Sequence, residues 1–257
     1  MLSTARSIYK PVKRSLIKST LILRNYNSWF QPEKLMVIAP HPDDEIFGTG
    51  GFLLKSIRSG VAVSIVYLTD GEKSLLDIDT DVVSRERIKL SDLVTQRLKI
   101  PASSLYRIHL PDGQVPRQGE AGFDASVNRI KEVILEVLPN TVFVTHPLDT
   151  WPYDHIAAFE ITREALKQTG MNIGLYAYWV WVWYSLPFSQ IFKINRQKTF
   201  RVYIKDELHQ KWKLINIYMD SRASNGKPYS GVLPKAFMNA FKYPYEVFEK
   251  IDVYEER

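Results

Sequence analysis

Cysteine is absent from this chain of 257 residues. Its absence excludes disulfide bonds and thiolate metal sites, so a bound metal must take its ligands from His, Asp or Glu. Long apolar runs are also missing, and no segment reaches the roughly 18–20 apolar residues that a membrane-spanning helix needs. A chain without cysteine fits a reducing compartment, and we therefore expect a cytoplasmic protein.

Acidic residues are missing before Glu33, whereas six basic residues lie in that stretch. We predict a basic N-terminal extension at residues 1–30 and a single domain at residues 31–257. The apolar spacing of the extension allows an amphipathic helix that contacts an anionic membrane surface, and a solvated basic tail is the alternative. It lacks the apolar core and cleavage site of a secretory signal. Basic residues form no stripe interleaved with aromatic residues, so we expect no nucleic-acid partner.

Short apolar runs alternate with segments of helical spacing along the domain. The patterns predict strands at 35–39, 61–68, 105–110, 141–145 and 173–183, and helices at 45–59, 81–98, 124–138 and 154–169. After residue 185 the pattern weakens, and we expect a strand at 199–204 and a helix at 206–218. This alternation indicates an α/β fold with a Rossmann-like, mainly parallel sheet and helices on both faces.

Polar clusters occur where the predicted strands end. They lie at residues 41–45, 69–72, 111–113 and 146–149, after the first four strands. In open parallel sheets, ligands bind beyond the carboxyl ends of the strands. We therefore expect the four clusters to face one crevice, which makes that edge of the sheet the predicted site.

The first cluster, His41-Pro42-Asp43-Asp44-Glu45, has the composition of a metal site. His41 and Asp44 are three residues apart at a strand-to-helix turn, so both can face the same side while Asp43 points elsewhere. His155, in the first turn of a predicted helix, can supply a third ligand and leave one position of a catalytic Zn²⁺ open to water. Asp43 would then be free to act as general base. Each residue taken singly is more often a helix cap or a packed side chain; two such clusters at one edge favour the metal.

The stretch Ala39-Pro40-His41-Pro42-Asp43-Asp44-Glu45 resembles the signature of the PIG-L/LmbE-like family of zinc-dependent N-acetylglucosaminyl deacetylases. The resemblance covers roughly residues 33–250 and implies a Rossmann-like α/β domain. It implies that His41, Asp44 and His155 bind zinc and that Asp43 is the catalytic base. Asp154 matches an aspartate that supports the histidines of the site.

The sequence departs from this family in its second motif. The family has a histidine there that stabilises the oxyanion, but this chain has Trp151. His146, at the end of the preceding strand, is the substitute that we predict. By the same resemblance, Arg87 corresponds to an arginine that binds substrate.

The resemblance implies a zinc-dependent hydrolase that removes the acetyl group from an N-acetylglucosamine-type sugar conjugate. The basic extension and the aromatic region 179–184 suit an anionic or lipid-linked conjugate. Two alternatives stay open. One is an amidase for another small N-acyl group; the other is a catalytically inactive sugar-binding or accessory protein with the same fold.

Overall fold

A computed structural model describes residues 26–255 of the chain. The strands of this part are β1 (Lys34–Ala39), β2 (Ala62–Thr69), β3 (Leu105–Leu110), β4 (Thr141–Thr145), β5 (Gly174–Tyr178), β6 (Thr199–Tyr203) and β7 (Tyr245–Ile251). The α-helices are α1 (Asp44–Arg58), α2 (Thr80–Arg97), α3 (Phe123–Val137), α4 (Asp154–Thr169), α5 (Val182–Ser185), α6 (Lys205–Asp220) and α7 (Lys235–Ala240). Short 3₁₀ helices lie at Ala102–Ser104 and Phe188–Lys193.

All seven strands form one sheet in the order β3-β2-β1-β4-β5-β7-β6. The first five strands are parallel, whereas β7 pairs antiparallel with both β5 and β6. The strands β1 and β4 at the centre are buried almost throughout, which explains their continuous apolar sequences. The prediction of an α/β fold with a mainly parallel sheet is confirmed.

Helices cover both faces of the sheet, because alternate residues of a strand point to opposite sides. Val37 of β1 belongs to a core that includes residues of α1, α2 and α6. Its neighbour Ile38 belongs to a second core, with residues of α3 and α4. The sheet is therefore a buried layer between two apolar cores, and the loops at its edges are left to carry polar groups.

The structure differs from the predicted local structure in two places. The strand predicted at 173–183 ends at Tyr178, because the backbone N–H groups of Val180 and Trp181 donate to Asp149 Oδ2 instead of a neighbouring strand. Strand β7 was not predicted at all, because its pattern is weak and its pairing is with strands distant in sequence.

Most of the predicted basic extension lies outside the described residues, so its amphipathic character stays a prediction. Its last residues, 26–30, are described and contact the domain. Ser28 N donates to Arg201 O at 2.9 Å, and the rings of Phe30 and Tyr176 stack with centroids 4.7 Å apart. Among the described residues, no helix combines the length and the apolar character required to cross a bilayer.

Candidate metal centre and active site

The loop between β1 and α1 places three functional side chains within four residues. Pro40 O accepts the backbone N–H of Thr69 at 3.0 Å, which ties the end of β1 to the end of β2. Asp43 then has φ 128°, a conformation that residues with a side chain rarely adopt. Its backbone N–H donates to Glu45 Oε2 at 2.8 Å, and Tyr218 Oη donates to Glu45 Oε1 at 2.6 Å. Strain of this kind concentrates at functional sites.

Three side chains meet at the start of α1 with geometry suited to a metal ion. His41 Nδ1 lies 3.0 Å from Asp44 Oδ2, and His155 Nε2 lies 3.2 Å from the same oxygen. The potential ligand atoms of these three buried residues are all within 4.8 Å of one another. The structure thus brings together the three predicted metal ligands.

Carboxylates orient both imidazoles from the side opposite this cluster. Asp154 Oδ2 lies 3.1 Å from His41 Nε2, and Asp149 Oδ2 lies 3.0 Å from His155 Nδ1. Backbone N–H groups hold the two carboxylates in turn: Gly113 donates to Asp154, and Val180 and Trp181 donate to Asp149. A carboxylate behind a histidine fixes the ring and raises its basicity as a metal ligand.

The charges of the cluster also fit a cation. Burial by itself lowers the pKa of His155, but the charge of Asp44 and a hydrogen bond to Asp149 raise it to about 9. Likewise, burial lowers the pKa of His41, and its contacts with Asp112, Asp154 and Asp44 raise it well above the ordinary value. The surrounding carboxylates therefore favour positive charge at both rings. A divalent ion can supply that charge.

One buried atom supports the same conclusion. His155 Nε2 has no hydrogen-bond partner among the described residues, although Asp44 Oδ2 is close to it. A second set of potential ligands, His41, Asp112 and Asp154, shares His41 with the first. Its carboxylates already accept backbone N–H groups from Lys73 and Gly113. The residues His41, Asp44 and His155 therefore fit a metal better.

Asp43 lies beside this cluster and is held by a buried cation. Arg87 Nη2 is 3.3 Å from Asp43 Oδ2 and also donates to Pro42 O. Burial raises the pKa of Asp43 to about 6, and the charge of Arg87 opposes that rise. A carboxyl group with such a pKa can gain and lose a proton near neutral pH.

A cavity of about 340 Å³ opens in front of these residues. Its floor contains His41, Asp43 and Asp44, and Arg87 lies in its wall. The rest of the wall combines apolar, basic, acidic and hydroxyl side chains, which include Trp151, Trp181, Lys73, Asp112 and Ser230. Trp151, at the position where the family signature has a histidine, is 54% exposed and packs edge-on against Trp181 with ring centroids 4.3 Å apart.

His146 is not among the residues that line this cavity. It is fully buried and stacks on Trp179 with ring centroids 3.6 Å apart. Its Nε2 lies 2.9 Å from Glu249 Oε2, and its Nδ1 accepts the backbone N–H of Leu148 at 3.0 Å. Both ring nitrogens thus have protein partners, and the structure does not bring His146 to the other predicted site residues.

Sequence reasoning missed two carboxylates of the site. Asp112, which was predicted only as part of the polar cluster at 111–113, has Oδ1 at 3.2 Å from His41 Nε2. Asp149 was noted as the end of a polar cluster, but not as the partner of His155. Both follow predicted strands, so their position at the edge of the sheet was the available signal.

The fold and the site define a mainly parallel α/β protein with a candidate metal centre of two histidines and one aspartate. Residues 36–166, just over half of the chain, match the family model PIG-L, described as GlcNAc-PI de-N-acetylase. The chain belongs to this family.

Its relatives are deacetylases. The chain is 27% identical over 165 residues to 1D-myo-inositol 2-acetamido-2-deoxy-alpha-D-glucopyranoside deacetylase of Kineococcus radiotolerans, covering 53% of this chain and 45% of the relative. It is 29% identical over 147 residues to diacetylchitobiose deacetylase of Thermococcus kodakarensis, covering 54% and 51%. The match thus spans about half the length of these relatives.

A solved structure shows the same fold over most of its length. It is N,N'-diacetylchitobiose deacetylase from Pyrococcus horikoshii in complex with an inhibitor, with a TM-score of 0.64 and 18% sequence identity. The superposition covers 96% of this chain and 93% of that one.

Proposed function

We propose that this protein is a zinc-dependent hydrolase that removes the acetyl group from an N-acetylglucosamine-type sugar conjugate, at the carboxyl ends of the parallel strands. The observation that carries the proposal is the meeting of His41, Asp44 and the buried His155, with His41, Asp44 and Asp43 lining one cavity. Membership of a de-N-acetylase family supports the reaction type.

Zinc is the ion that we propose because two imidazoles and one carboxylate are a usual set of three protein ligands for catalytic zinc. Bound there, the ion supplies a Lewis acid that polarises a carbonyl group and lowers the pKa of a water molecule. Asp149 and Asp154 hold the two imidazoles in place from behind. The protein thus contributes a fixed arrangement of ligands to zinc binding.

In the proposed reaction, Asp43 transfers a proton from the attacking water to the leaving amine. Its carboxylate takes a proton from the attacking water while the water oxygen bonds to the acetyl carbon. The same carboxyl group returns the proton to the amide nitrogen as the carbon–nitrogen bond breaks, so that acetate and a free amine leave. Arg87 holds Asp43 in position through the contact between Nη2 and Oδ2.

The wall of the cavity supports a sugar conjugate with a negative charge. Trp151 and Trp181 offer aromatic surface to the apolar face of a sugar ring. Lys73 lines the cavity, and its ammonium group has no carboxylate partner among the described residues. A phosphate or carboxylate on the aglycone would pair with this cation.

An amidase for another N-acyl group and an inactive sugar-binding protein are the two alternatives. Trp151 favours the inactive sugar-binding protein, because it stands where the family signature has a polar histidine. The two alternatives predict different substrate profiles, since an inactive protein binds a sugar without releasing acetate.

The first experiment measures metal content by elemental analysis and then acetate release from a panel of substrates. The panel contains N-acetylglucosamine, N,N'-diacetylchitobiose, N-acetylglucosaminyl-inositol, N-acetylglucosamine 1-phosphate and N-acetylated amino acids. We expect about one zinc per chain, release of acetate from sugars only, and a preference for N-acetylglucosamine 1-phosphate. This preference should be lost in Lys73→Met. Release from amino acids alone would support the amidase, and zinc without any turnover would support the binding protein.

A further inference from the structure

Hydrolysis of an amide places negative charge on the carbonyl oxygen, and a fixed donor aimed at that oxygen accelerates the reaction. His146 cannot serve, because the protein engages both of its nitrogens away from the cavity. Arg87 Nη1 and Nη2 are already committed to Tyr229 O, Pro42 O and Asp43, and its Nε packs against Gly71, where a Cβ atom would lie 2.3 Å away. Another donor in the cavity must therefore be sought.

Ser230 has the required properties. The residue is only 6% exposed, yet it lines the cavity beside Asp43. Its Oγ is buried beside the Asp43 carboxyl group and opposes the rise in the pKa of that group, but it makes no hydrogen bond of good geometry among the described residues. A buried hydroxyl with only a poorly formed interaction is unfavourable, so its presence in a cavity indicates a better acceptor that arrives with the ligand.

The loop that carries Ser230 is held firmly from both sides. On one side, Tyr229 O accepts hydrogen bonds from Ser74 Oγ and from Arg87 Nη1. On the other side, Gly231 adopts φ 81°, and a Cβ atom there would lie 3.2 Å from Ser74 O. Arg87 thus positions both Asp43 and the residue before Ser230. These contacts fix the Asp43 carboxyl group and the Ser230 hydroxyl group relative to each other.

Lys73 also lines the cavity, and among the described residues its ammonium group has no carboxylate partner. That group lies near Gly113, about 4.0 Å from where a Cβ atom would be. Its long side chain is flexible and strongly hydrated. Ser230, in contrast, has a short side chain on a fixed loop, as a donor of this kind requires.

We propose that Ser230 is a catalytic residue whose hydroxyl donates a hydrogen bond to the acetyl carbonyl oxygen as negative charge develops on it. The proposal rests on the deacetylase function proposed above. It accounts for a site whose second motif has Trp151 in place of a histidine.

The test compares Ser230→Ala with Ser56→Ala in the full-length, zinc-loaded protein. Ser56 is a matched control because its hydroxyl is also buried and unpartnered among the described residues, but it lies in α1 outside the cavity. With the best acetylated substrate of the wild type, we expect kcat to fall about 100-fold in Ser230→Ala. KM and zinc content should stay as in the wild type, and Ser230→Thr should recover most of the rate.

A binding measurement supplies a readout without turnover. The probe is a methylphosphonamidate of glucosamine, which carries a tetrahedral anionic group in place of the acetyl group. Its affinity should fall in Ser230→Ala by a factor similar to that for kcat, because such analogues report transition-state interactions. Ser56→Ala should bind it as the wild type does.

Three results would overturn the proposal. The first is a kcat of Ser230→Ala within twofold of the wild type, and the second is Ser230→Thr no more active than Ser230→Ala. The third is a shift of the acid limb of the pH profile without a fall in kcat, because the hydroxyl would then serve Asp43 and not the substrate. Failure of the wild type to release acetate would refute the deacetylase function alone, since the phosphonamidate affinities still compare the two side chains.

Discussion

His155 and His146 are nine positions apart, both are buried, and each has a carboxylate at one ring nitrogen. Asp149 contacts His155 Nδ1, and Glu249 contacts His146 Nε2. The difference lies in the second nitrogen. In His155 it lies 3.2 Å from Asp44 Oδ2 without a hydrogen bond, whereas in His146 it accepts a backbone N–H from Leu148. A carboxylate behind the ring is therefore not sufficient to define a metal ligand; the other nitrogen must be left available.

The largest effect should come from removing the available nitrogen. We expect His155→Ala to lose its zinc and its deacetylase activity, because one of three ligands is gone and Asp44 keeps an uncompensated charge. Zinc per chain by elemental analysis, after dialysis against a fixed free zinc concentration, measures this. Full zinc occupancy in His155→Ala would show that the ion binds elsewhere.

The next effect separates proton transfer from metal binding. Asp43→Asn preserves the shape of the side chain but removes the base, so kcat should fall about 10²–10⁴-fold while zinc content stays near one per chain. Asp77→Asn changes an exposed carboxylate and serves as the control. A rate near that of the wild type in Asp43→Asn would assign the base to another residue.

A smaller effect is expected from the carboxylates behind the two rings. Asp149→Asn should weaken zinc affinity about 10–100-fold, because the amide no longer supports His155 as a ligand. Glu249→Gln makes the corresponding change behind His146 and should leave zinc affinity unchanged. Competition with a chromogenic chelator measures both, and equal losses would contradict the distinction between the two histidines.

The smallest effect on chemistry should come from His146 itself. His146→Gln should lower the free energy of unfolding by about 1–3 kcal/mol, because a buried partner of Glu249 and Leu148 is disturbed. Urea denaturation measures this loss, and zinc content and kcat should persist. A large fall in kcat with full zinc occupancy would restore the role that the sequence predicted for His146.

Local sequence patterns were informative where burial is simple. The bounds of β3, β4 and α4 agree with those predicted, because their apolar spacing reflects one buried face or complete burial. The region after residue 178 was predicted poorly. There the backbone bonds to Asp149, and β7 inserts between β5 and β6, and neither contact leaves a local pattern.

By itself, the sequence determined the class of fold and the chemistry available at one edge of the sheet. Strand and helix periodicities indicate parallel βα units, and the run His41-Pro42-Asp43-Asp44-Glu45 supplies carboxylates and an imidazole at the end of β1. These properties depend on residues close together in the chain.

Only the tertiary structure decided which side chains share the site. It brings Asp149 to His155, turns His146 toward Glu249, and carries Ser230 from a distant loop to the cavity of Asp43. The physical reason is that hydrogen bonds and burial depend on distances in space. Two buried histidines nine positions apart can therefore differ in the one nitrogen that a metal requires.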